Sequence, residues 1–113
     1  MNKTVIVGNK ELKLKTSAAL MRLYRANFGR DLMKDVLSLK GVDQETIFED
    51  DNMETLENIT YTMARHADPD IADNIVEWLA DFDTFGLLGV LPEVLNLWEE
   101  EIKTSSDAKK NIE

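Results

Sequence analysis

The sequence predicts a mainly α-helical fold in which a small N-terminal β-hairpin, at about residues 3–15, precedes about five helices packed as one compact domain. Three patterns indicate this: alternation around a Gly-Asn pair in the hairpin, two apolar stripes separated by a glycine in residues 20–37, and later stripes of helical spacing. A chain of 113 residues is long enough for one core and too short for two. We therefore expect one domain at residues 1–102 and a polar, disordered tail at residues 103–113.

The hairpin is predicted from two strand-like segments that flank Gly8 and Asn9, a dipeptide suited to a two-residue primed turn. In the second segment Leu12 and Leu14 alternate with charged residues, so one face is apolar. A lone two-stranded hairpin is only marginally stable in water. It must therefore lie on the helices or pair with another chain through an exposed edge.

Residues 20–35 are predicted to form a helical corner, with an apolar interior and a basic exterior. Gly29 supplies the left-handed residue that closes the first helix, and Thr16 or Ser17 is a candidate N-cap. The apolar stripes that define the two helices are Leu20, Leu23, Tyr24 and Phe28 in the first, and Leu32, Met33, Val36 and Leu37 in the second.

Helical spacing resumes after an acidic loop at residues 41–52, in which Ile47 and Phe48 are expected to anchor a short turn. The next helix should end before Pro69, because the residue that precedes a proline is disfavoured in helical conformation. A further helix follows, with its apolar face at Ile71, Ile75, Trp78, Leu79 and Phe82.

The last helical region, residues 85–102, follows the N-cap candidate Asp83 and is interpreted as two segments, because Pro92 suits the first turn of a helix. Its apolar residues lie on more than one face, which indicates either a central helix or one that meets a partner. We expect the second, because a small protein has few layers to bury such a helix. The candidate residues for binding a client protein are Leu87, Val90, Leu91, Val94, Leu97 and Trp98.

Charge is divided unevenly along the chain. Residues 1–40 contain nine Lys or Arg and three Asp or Glu, about +6, whereas residues 41–113 contain four and nineteen, about −15, for a net charge of −9. Oppositely charged surfaces would let copies associate head to tail, unless helix packing mixes the two surfaces. The candidate self-association residues are Arg22, Arg25, Arg30 and Lys34 on the basic side and Asp73, Glu77 and Asp81 on the acidic side. The acidic excess argues against nucleic acid as the main partner.

The sequence contains no recognisable constellation for catalysis, a cofactor or a metal. Without cysteine, a disulfide framework or thiolate metal site cannot form. The single histidine, His66, is predicted at a helix C-terminus, where a protonated ring would complement the helix dipole. No apolar run approaches the roughly 18 residues of a membrane span, and the N-terminus does not look like a secretory signal. We expect a cytoplasmic protein that is not an enzyme.

Four phrases in order carry a family resemblance: LYRANFGRD at residues 23–31, ARHADP at residues 64–69, EWLADFDTF at residues 77–85, and Val90-Leu91-Pro92 followed by Leu97-Trp98. With them, the sequence resembles the tail assembly chaperones of long-tailed, siphovirus-type phages and prophages of Gram-positive bacteria. Together the phrases span most of residues 1–102.

The resemblance implies a helical protein of the host cytoplasm that binds the tape-measure protein, keeps it soluble, helps recruit tail-tube subunits and is absent from the mature virion. It also implies a second, longer product made by ribosomal frameshifting, for which the codons of Lys109 and Lys110 are a candidate site. A different hypothesis is an acidic inhibitor or DNA mimic that binds a basic site on a host protein.

Overall fold

The structure, a computed structural model, describes the backbone of residues 2–43 and 45–112 and the side chains of residues 2–43, 45–49 and 51–103. The predicted fold class, a hairpin followed by about five helices, is confirmed. Residues 103–113 are predicted to form a disordered tail. The side chains beyond Lys103 lie outside those that the structure describes, and the disorder of the tail stays a prediction. The elements are β1 (Asn2–Val7), β2 (Lys10–Lys15), α1 (Leu20–Phe28), α2 (Leu32–Leu39), a 3₁₀ turn (Thr46–Phe48), α3 (Asp50–Ala67), α4 (Ile75–Ala80) and α5 (Thr84–Ile112).

The hairpin is antiparallel, with Val5 opposite Leu12, and turns at Gly8, whose φ of 61° is in the left-handed region that glycine favours. Leu12 and Leu14 are buried on the face that packs against α3, and the other strand contacts α5. The apolar face of the hairpin is therefore covered by helices of the same chain.

The helical corner forms as predicted around Gly29, which has φ of 65° and donates its backbone N–H to the carbonyl of Arg25. Asp31 caps α2, because its side chain accepts a hydrogen bond from the Lys34 N–H at 3.2 Å. The predicted cap of α1 is wrong: the N-cap position is Ala19, and Ser17 only accepts the Ala19 N–H through Oγ at 3.2 Å.

Three apolar residues predicted as core or anchors are exposed. Leu23 is 38% exposed, Leu37 53% and Phe48 49%, whereas Ile47 beside Phe48 is buried. The predicted stripes of the corner were wider than the face that α3 and α5 cover, because each short helix packs against the core on one side only.

The central element is α3. Residues 59–64 are buried on all sides of the helix, including the hydroxyls of Thr60 and Thr62. These hydroxyls donate to the carbonyls four residues earlier, at 2.7 and 2.8 Å, so no buried donor is left unsatisfied there. As predicted, the helix ends before Pro69, with Asp68 at its C-cap.

The prediction of two segments in the last helical region is wrong, because α5 is one helix with Pro92 inside it. Its start is as predicted, since Asp83 Oδ2 accepts the Gly86 N–H at 2.9 Å. A proline within a helix removes one backbone hydrogen bond, and buried apolar residues lie on both sides of Pro92. The buried residues next to it are Val90, Leu91, Val94 and Leu95.

The six candidate client-binding residues of α5 are buried within this chain, and their role in binding a client stays a prediction. Leu87, Val90, Leu91, Val94, Leu97 and Trp98 all belong to the hydrophobic core. Trp98 also donates its indole N–H to the sulfur of the buried Met63 at 3.2 Å. The apolar residues of α5 serve the domain itself, because hairpin, α2 and α3 all pack against this helix.

Two glycine substitutions should change stability in opposite directions. Gly89→Ala should raise the free energy of unfolding by about 0.5–1 kcal/mol, because alanine favours a helix and a Cβ there meets no atom within 4 Å. Gly29→Ala should lower it by about 1 kcal/mol, because of the positive φ. Urea unfolding followed by circular dichroism measures both; a loss of stability in Gly89→Ala would contradict this account.

Candidate functional site

Five aromatic side chains form a continuous row that joins α1, α3 and α4. Neighbouring ring centroids lie 4.9 to 6.5 Å apart, with interplanar angles between 52° and 75°, the tilted and edge-on arrangements that aromatic quadrupoles favour. The members of this aromatic row, in spatial order, are Tyr24, Phe28, Tyr61, Trp78 and Phe82. Polar contacts hold both the start and the middle of the row.

At the start of the row, Asp35 is buried between α1 and α2, where it is 5% exposed. Tyr24 donates its hydroxyl to Asp35 Oδ2 at 2.6 Å, and Arg30 donates through Nε and Nη2 to the two carboxylate oxygens at 2.7 and 2.8 Å. The carboxylate thus accepts one phenolic and two guanidinium hydrogen bonds, which is the strong bidentate geometry. The sequence pattern predicts Arg30 on the basic exterior of the corner and does not indicate the buried partner Asp35.

The ionisation of this network follows from its contacts. The hydrogen bond from Arg30 lowers the pKa of Asp35 below the ordinary 3.8, against the opposing effect of burial. Burial, followed by the hydrogen bond to Asp35, raises the pKa of the Tyr24 phenol. At neutral pH the network is therefore a neutral phenol, a carboxylate and a guanidinium, and the Arg30 charge is balanced inside the chain.

In the middle of the row, Tyr61 donates its hydroxyl to the carbonyl of Ala72 at 2.5 Å. Arg65 donates to the Tyr61 hydroxyl at 3.2 Å and pairs with Asp73 at 2.7 Å. These contacts hold the segment between α3 and α4 against α3. Asp73, a candidate for acidic self-association, is thereby engaged within its own chain.

The three acidic candidates do not form one helical face. Although Asp73, Glu77 and Asp81 are all exposed, α4 extends only over Ile75–Ala80, with Asn74 as its N-cap. Asp73 therefore precedes the helix, and Asp81 follows it. The ammonium of Lys10 reaches this segment from the hairpin and donates to the Asp81 carbonyl at 2.7 Å.

The basic candidates also differ in their surroundings. Arg22, Arg25 and Lys34 are exposed, whereas Arg30 is bound to Asp35. The Lys10 contact with the Asp81 carbonyl brings a cation of residues 1–40 to the acidic segment, so the packing mixes the two oppositely charged parts of the chain at this point. The ion pairs of Arg30 and Arg65 each lie within one part. Head-to-tail association stays a prediction.

The strongest contact of a catalytic type is between Ser17 and His66. Ser17 Oγ lies 2.8 Å from His66 Nε2, the distance expected of a nucleophile and its base. However, Ser17 Oγ already accepts the Ala19 N–H, and none of the described side chains places a carboxylate against the imidazole to orient it. Burial and the charge of Lys15 lower the pKa of His66, so the ring is not the protonated dipole partner expected from the sequence. The pair connects the hairpin exit to the end of α3.

A small cleft of about 260 Å³ lies beside His66, between α1 and α3. Its polar lining residues Thr62 and Arg65 donate hydrogen bonds to other residues of this chain. Within residues described with side chains, no group of three or more His, Asp or Glu is arranged to hold a metal ion. The described helices include none that is long and apolar enough to cross a membrane.

A second opening, the α2–α5 groove, has about 590 Å³ and a largely aliphatic lining. Val36 and Leu37 contribute from α2, and Leu95 and Ile102 from α5. These elements are about sixty residues apart in the sequence, so no local pattern could have indicated the groove. Its aliphatic lining makes it a candidate site for an apolar segment of another molecule.

Comparison of this chain with known protein families, with curated proteins and with solved structures finds no match.

Removing the Tyr24 or Asp35 contacts should destabilise the protein. Tyr24→Phe should lower the free energy of unfolding by about 1.5 kcal/mol and Asp35→Asn by roughly 2–3 kcal/mol, because a charge-assisted buried hydrogen bond is lost or left incomplete. Since the folded-state pKa of Asp35 is below 3.8, the Asp35→Asn effect should be constant above about pH 5 and shrink as the pH falls through that lowered pKa. Urea unfolding across pH measures it.

The exposed Glu93→Gln is the matched control and should leave stability unchanged at each pH. If the loss of stability caused by Asp35→Asn became larger at lower pH, it would contradict the lowered pKa of Asp35 in the folded protein.

Proposed function

We propose that this protein is a tail assembly chaperone that binds the tape-measure protein of a long-tailed phage or prophage, keeps it soluble and helps bring tail-tube subunits to it. The observation that supports this is where the resembling phrases lie. Residues 23–31 supply Tyr24, Phe28 and Arg30, and residues 77–85 supply Trp78 and Phe82. The resembling phrases therefore include four of the five members of the aromatic row, and Arg30, which pairs with the buried Asp35.

A binding role also agrees with the distribution of polar and apolar groups. A chaperone of this kind needs an apolar surface for its client. The candidate residues of α5 are buried, but the α2–α5 groove offers an accessible apolar surface. The Ser17–His66 contact lacks an orienting acid among the described side chains, which favours binding over catalysis.

The proposal includes association with other copies and with a longer, frameshifted form of the same chain. The exposed Arg22, Arg25 and Lys34 on one side and the exposed Glu77 and Asp81 on the other supply opposite charges for such a contact. Because the two surfaces are different, the contact would be heterologous and would form rings or open helices.

The acidic-inhibitor hypothesis is less well supported. A DNA mimic needs carboxylates on one continuous face, and here the cations of Lys10 and Arg65 interrupt the acidic segment. The groove would also have no role in it.

Co-expression with the neighbouring tape-measure gene tests the proposal. The tape-measure protein should move from the insoluble to the soluble fraction and co-purify with this chain, because its apolar segments are then covered. Glu93→Gln should act as wild type, whereas Leu91→Asp should not, since Leu91 is completely buried and the fold is lost.

If the tape-measure protein is equally insoluble with and without this chain, the proposed chaperone function is wrong. Capture of a nucleic-acid-binding host protein instead would favour the acidic inhibitor.

A further inference from the structure

The α2–α5 groove is incompletely covered. Leu37 is 53% exposed, although its neighbours Val36 and Leu95 are buried. Burial of apolar area stabilises a complex by about 25 cal/mol per Å² before the costs of association. A half-exposed leucine in the wall of an aliphatic groove is therefore a favourable contact for an apolar occupant.

The spacing of the groove residues on α5 fits a short length of helix. Leu95, Glu99 and Ile102 are related as i, i+4 and i+7, so they follow one face of α5 for about 10 Å. On the opposite wall α2 ends at Leu39, and Gly41 contributes no side chain. A partner helix that presents aliphatic residues at i, i+3 or i+4, and i+7 has the matching repeat.

The charges at the groove differ in sign from the rest of the molecule. Lys40 and Lys103 line it together with one carboxylate, Glu99, so its local charge is about +1 on a chain of net charge −9. Lys103 is also the only Lys or Arg between Arg65 and Lys109. Two cations from distant parts of an acidic chain therefore meet at one apolar groove, which favours an occupant with acidic flanks.

We propose that the α2–α5 groove binds an amphipathic helix of a client protein, whose aliphatic stripe is flanked by acidic side chains. The aliphatic stripe covers Leu37 and Ile102, and the acidic flanks approach Lys40 and Lys103. The assignment of this helix to the tape-measure protein rests on the proposed function.

Two synthetic helical peptides test the groove by fluorescence anisotropy. Both carry leucine at i, i+4 and i+7; one has glutamate on the flanks and the other lysine. The wild-type protein should bind the glutamate peptide at least about tenfold more tightly. Net charge alone would make this acidic protein prefer the lysine peptide, so a preference for the glutamate peptide must come from the charges at the groove. Equal binding of the two peptides, or a preference for the lysine peptide, would overturn the proposal.

Substitutions at exposed positions locate the binding. Leu37→Asp should weaken binding of the glutamate peptide by about tenfold or more, because a charge then lies in the apolar contact. Val76→Asp is the matched control at an exposed aliphatic residue outside the groove and should bind as wild type. Circular dichroism verifies that both variants are folded. Equal effects of the two substitutions, or none from Leu37→Asp, would overturn the assignment.

The double substitution Lys40→Glu and Lys103→Glu should reverse the preference between the peptides. The same charge change at Lys3 and Lys13, which are exposed outside the groove, should not reverse it. Reversal by both pairs would mean that net charge, and not the groove, selects the peptide.

A second copy of the chain is the competing occupant. If Leu37→Asp converts an oligomer to monomer in sedimentation velocity while peptide binding is unchanged, the groove is a contact between copies and the proposal is wrong. Co-expression separates this proposal from the chaperone function. If the Leu37→Asp variant still keeps the tape-measure protein soluble, the groove is not the binding site, but the proposed chaperone function is supported. If the wild-type protein does not keep the tape-measure protein soluble, yet the glutamate peptide binds the groove, the chaperone function is wrong and the groove proposal is supported.

Discussion

The buried carboxylate of Asp35 is the contact on which the helical corner depends. Gly29 turns the chain between α1 and α2, and Asp35 then joins the two helices through Tyr24 and Arg30. A buried carboxylate without these partners would be unfavourable, so replacing any of the three side chains should make the corner less stable. The same tyrosine begins the aromatic row, so the polar network also positions Phe28 against α3.

From that corner the packing extends in two directions. Along the aromatic row, Tyr61 and Trp78 bring the short helix α4 to α3, and Arg65 holds the intervening segment. On the other side, α5 packs against α3 and α2, leaving the α2–α5 groove at the edge of their contact. The proposed binding site thus lies between α2 and α5, beside the place where the two helices pack together.

Local signals in the sequence predicted the hairpin turn, the glycine corner and the end of α3, because each depends on a few neighbouring residues. Burial was predicted less well. The apolar residues of α5 were assigned to a partner, although hairpin, α2 and α3 cover them, and Asp35 was overlooked because a charged residue is usually exposed. Pro92 suggested a helix start because its local preference does not include the packing that keeps α5 continuous. The groove joins α2 to α5 and required the tertiary structure.

We propose that a client protein contacts the α2–α5 groove and not the buried residues of α5. Because the chain has no cysteine, Leu37→Cys introduces a single thiol in the groove wall, and Val76→Cys places one on an exposed surface elsewhere. The rate of thiol alkylation, read from the mass of this chain, can be compared with and without bound tape-measure protein. The account predicts slower alkylation at position 37 and an unchanged rate at position 76. An unchanged rate at position 37 in the complex would contradict it.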